Sequence, residues 1–540
     1  MGVLLDLDNS SGNIIAPPLS PHESLSFLPP TSELLCSGGD TRIVCNSIDG
    51  LNKYGTSSVP DMKVLAYGSS TASSVSTAGF AAAERVRCRL LSAQGLEPQA
   101  ITYAREIARV RSELLGLCGL SDLVGLDVIL SPSGTDLHLF AALLVGGSDT
   151  QPSLAIMIEG AETGSGIPLA LSGQPFSDSA AFGSCVVSDD DTAIEVKAVD
   201  GREADGRPRA AADIDCEVES LIADAAASGR RVLLNIADVT KTGLIAPSPI
   251  LALKLRRRFP EMVEVIVDAC QFRISPPTIR AYLEHGFCVA LTGSKFVTGP
   301  AFSGALLIPE SVGRRLRTRR LPRMIKSYSA RADWPSGWAA RSVLADVANY
   351  GLLLRWESAL EELRAFRSLP NADIVSFLET FADAVRRRLV TDMVFDPLPV
   401  PPLDRQQFGK SNSWDRIQTI FPFTLRCPSQ EAREKWLSRK ITAQIYDMLR
   451  QDLSGHSLAP RDPVASNIVS RRCHIGQPIA CGTREGTPVS ALRLCVGMRL
   501  VVDAVGPHGR GPNVVIREAF SVLDKTAILA REMSMCSSKI

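Results

Sequence analysis

Apolar residues fall into two alternating patterns along the chain. Short, mainly apolar runs at Leu126–Leu130, Leu154–Ile158, Val232–Ile236, Val263–Val267 and Cys288–Leu291 predict buried strands. Between them, Leu137–Leu144, Pro249–Arg258 and Pro277–His285 place apolar residues at three- and four-residue steps and predict helices. Continuous apolar strands alternating with helices predict an α/β fold, with a mostly parallel sheet covered on both faces. Helical patterns also span Ala81–Leu120, Ser342–Leu369 and Ile374–Leu389. The run Phe395-Asp-Pro-Leu-Pro-Val-Pro-Pro-Leu then breaks the pattern and leads into a smaller α+β unit, with a strand over Ile417–Leu425 and a helix over Glu431–Leu449. The expected organisation is a flexible N-terminal arm over 1–40, rich in Ser, Pro and Gly, and a large α/β domain over 41–330. A helical connection over 331–369 and a small C-terminal domain over 370–540 complete it.

Composition narrows the classes of function. Of 540 residues, 45% are hydrophobic and 21% charged, an ordinary globular balance. Lys+Arg and Asp+Glu both number 58, so a neutral chain gains no long-range attraction for nucleic acid or an anionic membrane, and neither is expected as a partner. The thirteen cysteines form no Cys-x-x-Cys pair and no disulfide framework, which fits a reducing compartment. The first residues lack a basic segment followed by a signal-length apolar run, and no apolar stretch is long enough to span a bilayer. A cytoplasmic location is the expectation. The final Ser538-Lys539-Ile540 stands near the peroxisomal Ser-Lys-Leu signal. Motifs for a phosphate-binding loop of the Gly-x4-Gly-Lys type, a His-Glu-x-x-His zinc site and a Gly-x-Ser-x-Gly elbow are all absent, and no metal is expected.

The chemistry concentrates in one stretch. Val263-Glu-Val-Ile-Val-Asp ends a strand at Asp268, a crossover helix follows, and a second strand ends just before Lys295. In a parallel sheet both side chains emerge at the carboxyl edge, where open α/β sheets bind ligands. A lysine and a carboxylate converging there suit pyridoxal 5′-phosphate (PLP): the amine forms a Schiff base, and the acid keeps the pyridine nitrogen protonated. Lysine is scarce, twelve of the 58 basic residues, so Thr-Gly-Ser-Lys followed by Gly-Pro is an unusual setting for a plain surface cation.

Val267-Asp-Ala-Cys-Gln followed by Leu291-Thr-Gly-Ser-Lys-Phe-Val-Thr-Gly-Pro resembles the class V aminotransferase and cysteine desulfurase superfamily of PLP enzymes, fold type I. The resemblance covers roughly residues 50–310 and 490–500. It implies that Lys295 carries the cofactor, Asp268 holds its pyridine nitrogen and Gln271 meets its phenolic oxygen. Thr292 falls on a phosphate-binding hydroxyl. Ser133, Gly134 and Thr135, in Ser-Pro-Ser-Gly-Thr-Asp, resemble the turn that opens a helix onto the cofactor phosphate, where small residues and a helix N-terminus favour an anion. Thr240 falls near the phenolic oxygen, and Arg493, in Ala-Leu-Arg-Leu-Cys-Val-Gly, on the arginine that grips the substrate α-carboxylate. Where the family has a ring-stacking His, this chain has Glu162 or Thr163, with Glu162 as an acid–base substitute. None of the candidate nucleophiles Cys427, Cys473 and Cys481 carries a recognisable loop motif, which disfavours desulfuration. Structural roles are expected for His138 and His474. The resemblance implies a homodimer acting on a small α-amino acid, by transamination or carbon–heteroatom lysis. A decarboxylase and a catalytically inactive scaffold are the alternatives.

Overall fold

The computed structural model describes residues 28–68, 73–146, 152–184, 194–405, 407–409, 412–427, 435–455 and 462–537. The Ser-Lys-Ile terminus and the start of the helix expected from Glu431 lie outside these residues. In chain order the elements that build the site are α1 (Thr31–Leu35), β1 (Val64–Ala66), α2 (Thr77–Ala93), α3 (Gln99–Leu117), β2 (Asp127–Ser131), α4 (Gly134–Val145), β3 (Ser153–Ile158) and β4 (Ile194–Val199). There follow β5 (Val232–Asp238), α5 (Pro249–Arg258), β6 (Val263–Ala269), α6 (Pro276–Glu284), β7 (Cys288–Thr292), β8 (Gly304–Ile308), α7 (Tyr350–Arg367) and α8 (Asn371–Thr391). The C-terminal part holds β9 (Ile420–Leu425), α9 (Arg439–Leu449), β10 (Arg472–His474), β11 (Gly476–Arg484), β12 (Thr487–Cys495) and α10 (Pro512–Ser537).

The large sheet has the order β2-β8-β7-β6-β5-β3-β4, with the short Ile245–Ala246 strand paired to β5 as an eighth member. β7, β6, β5, β3 and β4 are parallel, and β8 runs antiparallel to both β7 and β2. Every residue of β3, β5 and β6 is buried, which explains why these strands are mainly apolar rather than alternating apolar and polar. Each fully buried Val, Leu or Ile contributes about 1.5–3 kcal/mol. Helices start where local chemistry stops a strand: α5 begins with Pro249 behind the N-cap Ser248, whose hydroxyl accepts from Leu251 N–H.

The helical pattern over 81–120 resolves into two helices, because Gly95 with φ of +81° and Pro98 separate them. The pattern expected from Ser342 becomes helical only at Tyr350, after a 3₁₀ turn over Ala339–Val343. The described end of the expected flexible arm is folded. Leu34 and Leu35 are buried, and the guanidinium of Arg355 on α7 donates to the carbonyls of Leu35, Ser37 and Gly38. The N-terminal segment also meets the C-terminal part, since β1 pairs in parallel with β10. The small antiparallel sheet, ordered Phe395–Pro397, β9, β12, β11, places Arg493 on an inner strand. Asp238, at the end of β5, forms a fully buried ion pair with Arg405 and accepts from Tyr282 Oη at 2.8 Å, which fastens the sheet edge to the 398–418 segment.

Candidate active site

The adjacent central strands β7, β6 and β5 end at one edge and deliver Lys295, Asp268 and Lys241 to the same crevice. A cavity of about 280 Å³ lies there, lined also by Ser133, Gly134, Thr135, Thr163, Gln271, Thr292 and Arg493. A larger cavity of about 660 Å³, between β1, the start of α2 and Gly506–Arg510, contains none of the catalytic, cofactor- or substrate-binding candidates named above. Volume alone does not mark the chemistry here. The smaller cavity is the one at the carboxyl edge of the parallel strands, where Lys295 and Asp268 meet.

Lys295 follows β7 in a tight turn, with φ of +63°, a left-handed conformation unusual for a side chain-bearing residue. The turn is pinned by Gly293 N–H to the Ser303 carbonyl (2.8 Å), Thr298 N–H to the Lys295 carbonyl (3.1 Å) and Phe296 N–H to the Gln271 carbonyl (3.3 Å). A strain of order 1–3 kcal/mol persists only where the surroundings over-determine it, and such residues cluster at functional sites.

Asp268 is buried, and its Oδ1 accepts from Cys270 N–H at 3.1 Å. His138, fully buried one turn into α4, faces Asp268 Oδ2 with Nε2 at 3.4 Å, while Nδ1 lies 2.7 Å from the Gly134 carbonyl. A carbonyl only accepts, so Nδ1 carries a proton, and the contact with Asp268 is attractive only when Nε2 carries one too. Burial pushes the Asp268 carboxyl up, but His138 and then Lys295 outweigh it and hold the group well below the usual carboxylate range. His138 thus lines the cavity and faces Asp268 while being fully buried. Its sequence signal was weak, a lone His one turn into the helix.

At the start of α4, Ser133 and Asp136 form a reciprocal capping box, with Ser133 N–H to Asp136 Oδ2 at 2.7 Å. The Ser133 hydroxyl accepts from the Asp136 amide in this cap and keeps its own proton to donate, and the amides of Gly134 and Thr135 are the helix's unsatisfied donors at the cavity wall. A Cβ on Gly134 would lie 2.8 Å from Cys270 Sγ and 3.3 Å from Thr292 Cγ2, so only glycine fits against β6 and β7. Thr292 donates to the Cys270 carbonyl at 2.6 Å, and Ser294 donates to Thr292 Oγ1 at 3.3 Å. Thr292 lines the cavity with its own proton already committed.

Arg493 reaches the cavity from β12, donating from Nη1 to the Lys241 carbonyl (3.2 Å) and from Nη2 to the Gln477 carbonyl (2.9 Å). Its Nε is buried with no acceptor. Burial lowers the guanidinium's pKa, and no carboxylate stands within ion-pair distance among the described residues.

Two expected residues are not brought to the cavity. Glu162 is buried in a network with Arg202 Nε (2.6 Å), Thr242 Oγ1 (2.6 Å) and Thr242 N–H (3.2 Å), so its oxygens are consumed and an acid–base role is corrected to a structural one. Thr240 is turned inward, its hydroxyl accepting from Leu244 N–H at 3.0 Å, and the next residue, Lys241, lines the cavity instead. Thr163 lines it, but its hydroxyl donates back to the Ile158 and Glu159 carbonyls. Sequence reasoning also missed Arg42, Lys53 and Tyr54, which the folded N-terminal segment brings to the cavity wall. Arg42 is clamped by Asp40 at 2.6 Å and lies over the Phe302 ring at 4.8 Å. Among the thiols, Cys270 lines the cavity, but burial and then Asp268 push it far up, away from a nucleophilic thiolate. Cys473 is buried and pushed up to about 11, and Cys481 is also raised by burial.

No family model matches the chain, and no curated protein matches it by sequence. Solved structures do match in architecture. The cysteine desulfurase CsdA of Escherichia coli is 13% identical with a TM-score of 0.50, over 85% of this chain and 95% of that one. A variant of C-DES, with glycine covalently linked to its PLP cofactor, is 14% identical with a TM-score of 0.50, over 85% of this chain and 96% of that one. At such identity the likeness concerns architecture, and on it the chain has the α/β fold of the type I PLP enzymes.

Proposed function

We propose that the protein is a PLP-dependent enzyme acting on an α-amino acid. The observation that carries this reading is the meeting, in one cavity, of Lys295, an ionised Asp268 and the free amides at the start of α4. The residues fit the cofactor. Gly134 keeps the helix terminus close enough to Cys270 and Thr292 to form a phosphate cradle, and the buried, acceptor-less Nε of Arg493 suits an incoming carboxylate. Lys295 would hold the cofactor covalently, Asp268 its ring nitrogen, and Ser133, Gly134 and Thr135 its phosphate. Bound there, PLP supplies an electron sink for the pair left at Cα.

The chain's own residues would divide the work as follows. Arg493 binds the α-carboxylate with its planar fork and orients Cα. Lys295 Nζ, once released, takes the Cα proton and can return it. Asp268 keeps a proton on the ring nitrogen, and His138 fixes Asp268 in place and in charge. A carboxylate gripped by Arg493 is the group retained, which favours transamination or loss of a side-chain substituent over decarboxylation. The absence of a thiol poised at the described cavity wall tells against desulfuration. A homodimer belongs to the same proposal and is read by sedimentation equilibrium. No helix among the described residues is long and apolar enough to cross a membrane.

The decisive experiment is the visible spectrum of the protein with added PLP, beside Lys295→Ala. The expected outcome is an absorption band that borohydride abolishes, with reduced cofactor attached to Lys295 by mass spectrometry and none in the variant. A protein that stays colourless with PLP refutes the reading.

A further inference from the structure

The cavity is charged far out of balance. Its wall carries the cations Arg42, Lys53, Lys241, Lys295 and Arg493, and Asp268 is the one acid that lines it among the described residues. Arg42 is neutralised by Asp40, and Asp268 faces His138 and lies in the field of Lys295. Lys241, Lys295 and Arg493 form no ion pair among the described residues. Glu162, the nearest acid behind them, is committed to Arg202 and Thr242. Arg493 is buried and the two lysines are half-buried; drawing charges out of water without a counter-charge is costly, so three such cations on one wall point to anions that arrive from outside.

The proposed function accounts for two of the three. Lys295 anchors the cofactor, Arg493 takes the α-carboxylate, and the cofactor phosphate has its own cradle at the start of α4. Lys241 is left without a task. Its ammonium donates to the carbonyls of Gly160 (3.2 Å) and Ala161 (3.1 Å), which aim the group without neutralising it and leave a third proton to donate. It stands beside Arg493, whose Nη1 is held by the Lys241 carbonyl. Its amine also feels the charges of Arg493 and Lys295, the two cations already assigned to substrate and cofactor. Burial, followed by Arg493 and Lys295, pushes the Lys241 amine down to about 8, the mark of a cation lacking its anion.

We infer that Lys241 recognises a second negative charge on the substrate, so that the enzyme takes α-amino acids with an anionic side chain, dicarboxylic in class. The inference rests on the proposed PLP chemistry and adds the substrate class to it. A direct ammonium–carboxylate contact in such a site discriminates an acid from its isosteric amide by roughly 10- to 100-fold.

The test uses the full chain loaded with PLP, titrated by visible spectrum with L-aspartate against L-asparagine and L-glutamate against L-glutamine, in wild type, Lys241→Met and Lys241→Arg. At least one acid should bind about 10-fold or more tighter than its amide in wild type. Lys241→Met should bring that ratio close to one with cofactor content and melting temperature preserved, and Lys241→Arg should keep most of it. Equal binding of acid and amide by wild type, or a preference that survives in Lys241→Met, overturns the inference. Loss of cofactor from Lys241→Met assigns the lysine to PLP and overturns it too. Failure of the parent reading is seen separately, before any amino acid is added, as a protein that takes up no PLP; the inference then falls with it.

Discussion

Substituting Gly476 by Ala tests how Arg493 is aimed. Gly476 opens β11 directly opposite Arg493 on β12. A Cβ there would lie 2.8 Å from Arg493 Cζ and Nε and 2.9 Å from its Cβ. Comfortable carbon contacts begin near 3.5 Å, so the overlap is about 0.7 Å. Because the root and the head of the arginine are crowded together, rotation at the tip gives no relief and the whole side chain must move. The bonds at stake are Nη1 to the Lys241 carbonyl and Nη2 to the Gln477 carbonyl, at 3.2 and 2.9 Å. Overpacking of this kind costs about 1–3 kcal/mol in stability. A misdirected guanidinium forfeits a charged contact with the α-carboxylate worth about 1.5–3 kcal/mol, or roughly 10- to 150-fold in affinity. The assay is the amino-acid titration of the PLP-loaded protein, run beside the matching amine that lacks a carboxylate. Gly476→Ala should weaken the amino acid by at least about 10-fold and leave the amine almost untouched. Equal losses for both ligands, or an amino-acid affinity within about twofold of wild type, refute the role given to Arg493.

Two further predictions concern stability. Burial and the nearby Asp40 push Asp136 up to about 7 against the opposing pull of Arg42, so the folded state holds a proton that the unfolded chain has lost above about pH 4. The stability tied to that proton is fully present below about pH 4 and is lost as pH rises through about 7, a window worth up to about 4 kcal/mol. Asp136→Asn, which keeps an oxygen for Ser133 N–H, should flatten this decline and raise the denaturation midpoint at pH 8 relative to wild type; a midpoint unchanged at pH 8 contradicts it. Asp238→Ala strands the buried Arg405 guanidinium and removes the acceptor of Tyr282, and should cost about 3–5 kcal/mol in urea unfolding, whereas a loss below about 1 kcal/mol would mean the pair is not buried as described.

The elements legible in sequence were those fixed by local pattern. Strands buried on both faces are mainly apolar, so β3, β5, β6 and β7 lie within a residue or two of their expected bounds. Because parallel strands carry their C-terminal residues to one edge, Asp268 and Lys295 followed from the same pattern. Residues that depend on a partner far along the chain were not legible. Glu162 carries the right chemistry for catalysis, but Arg202 and Thr242 claim it, and only packing decides that. Thr240 and Lys241 are neighbours in sequence, and the turn after β5 sends one inward and the other to the cavity. His138 meets Asp268 across 130 residues, and Arg42 reaches the cavity because Arg355 draws the N-terminal segment's carbonyls onto α7. The sequence by itself determined the sheet and the pair of residues at its edge, since periodicity and strand direction are local properties. The tertiary structure decided the charge around that pair, because desolvation and ion pairing are set by whichever distant groups pack against it.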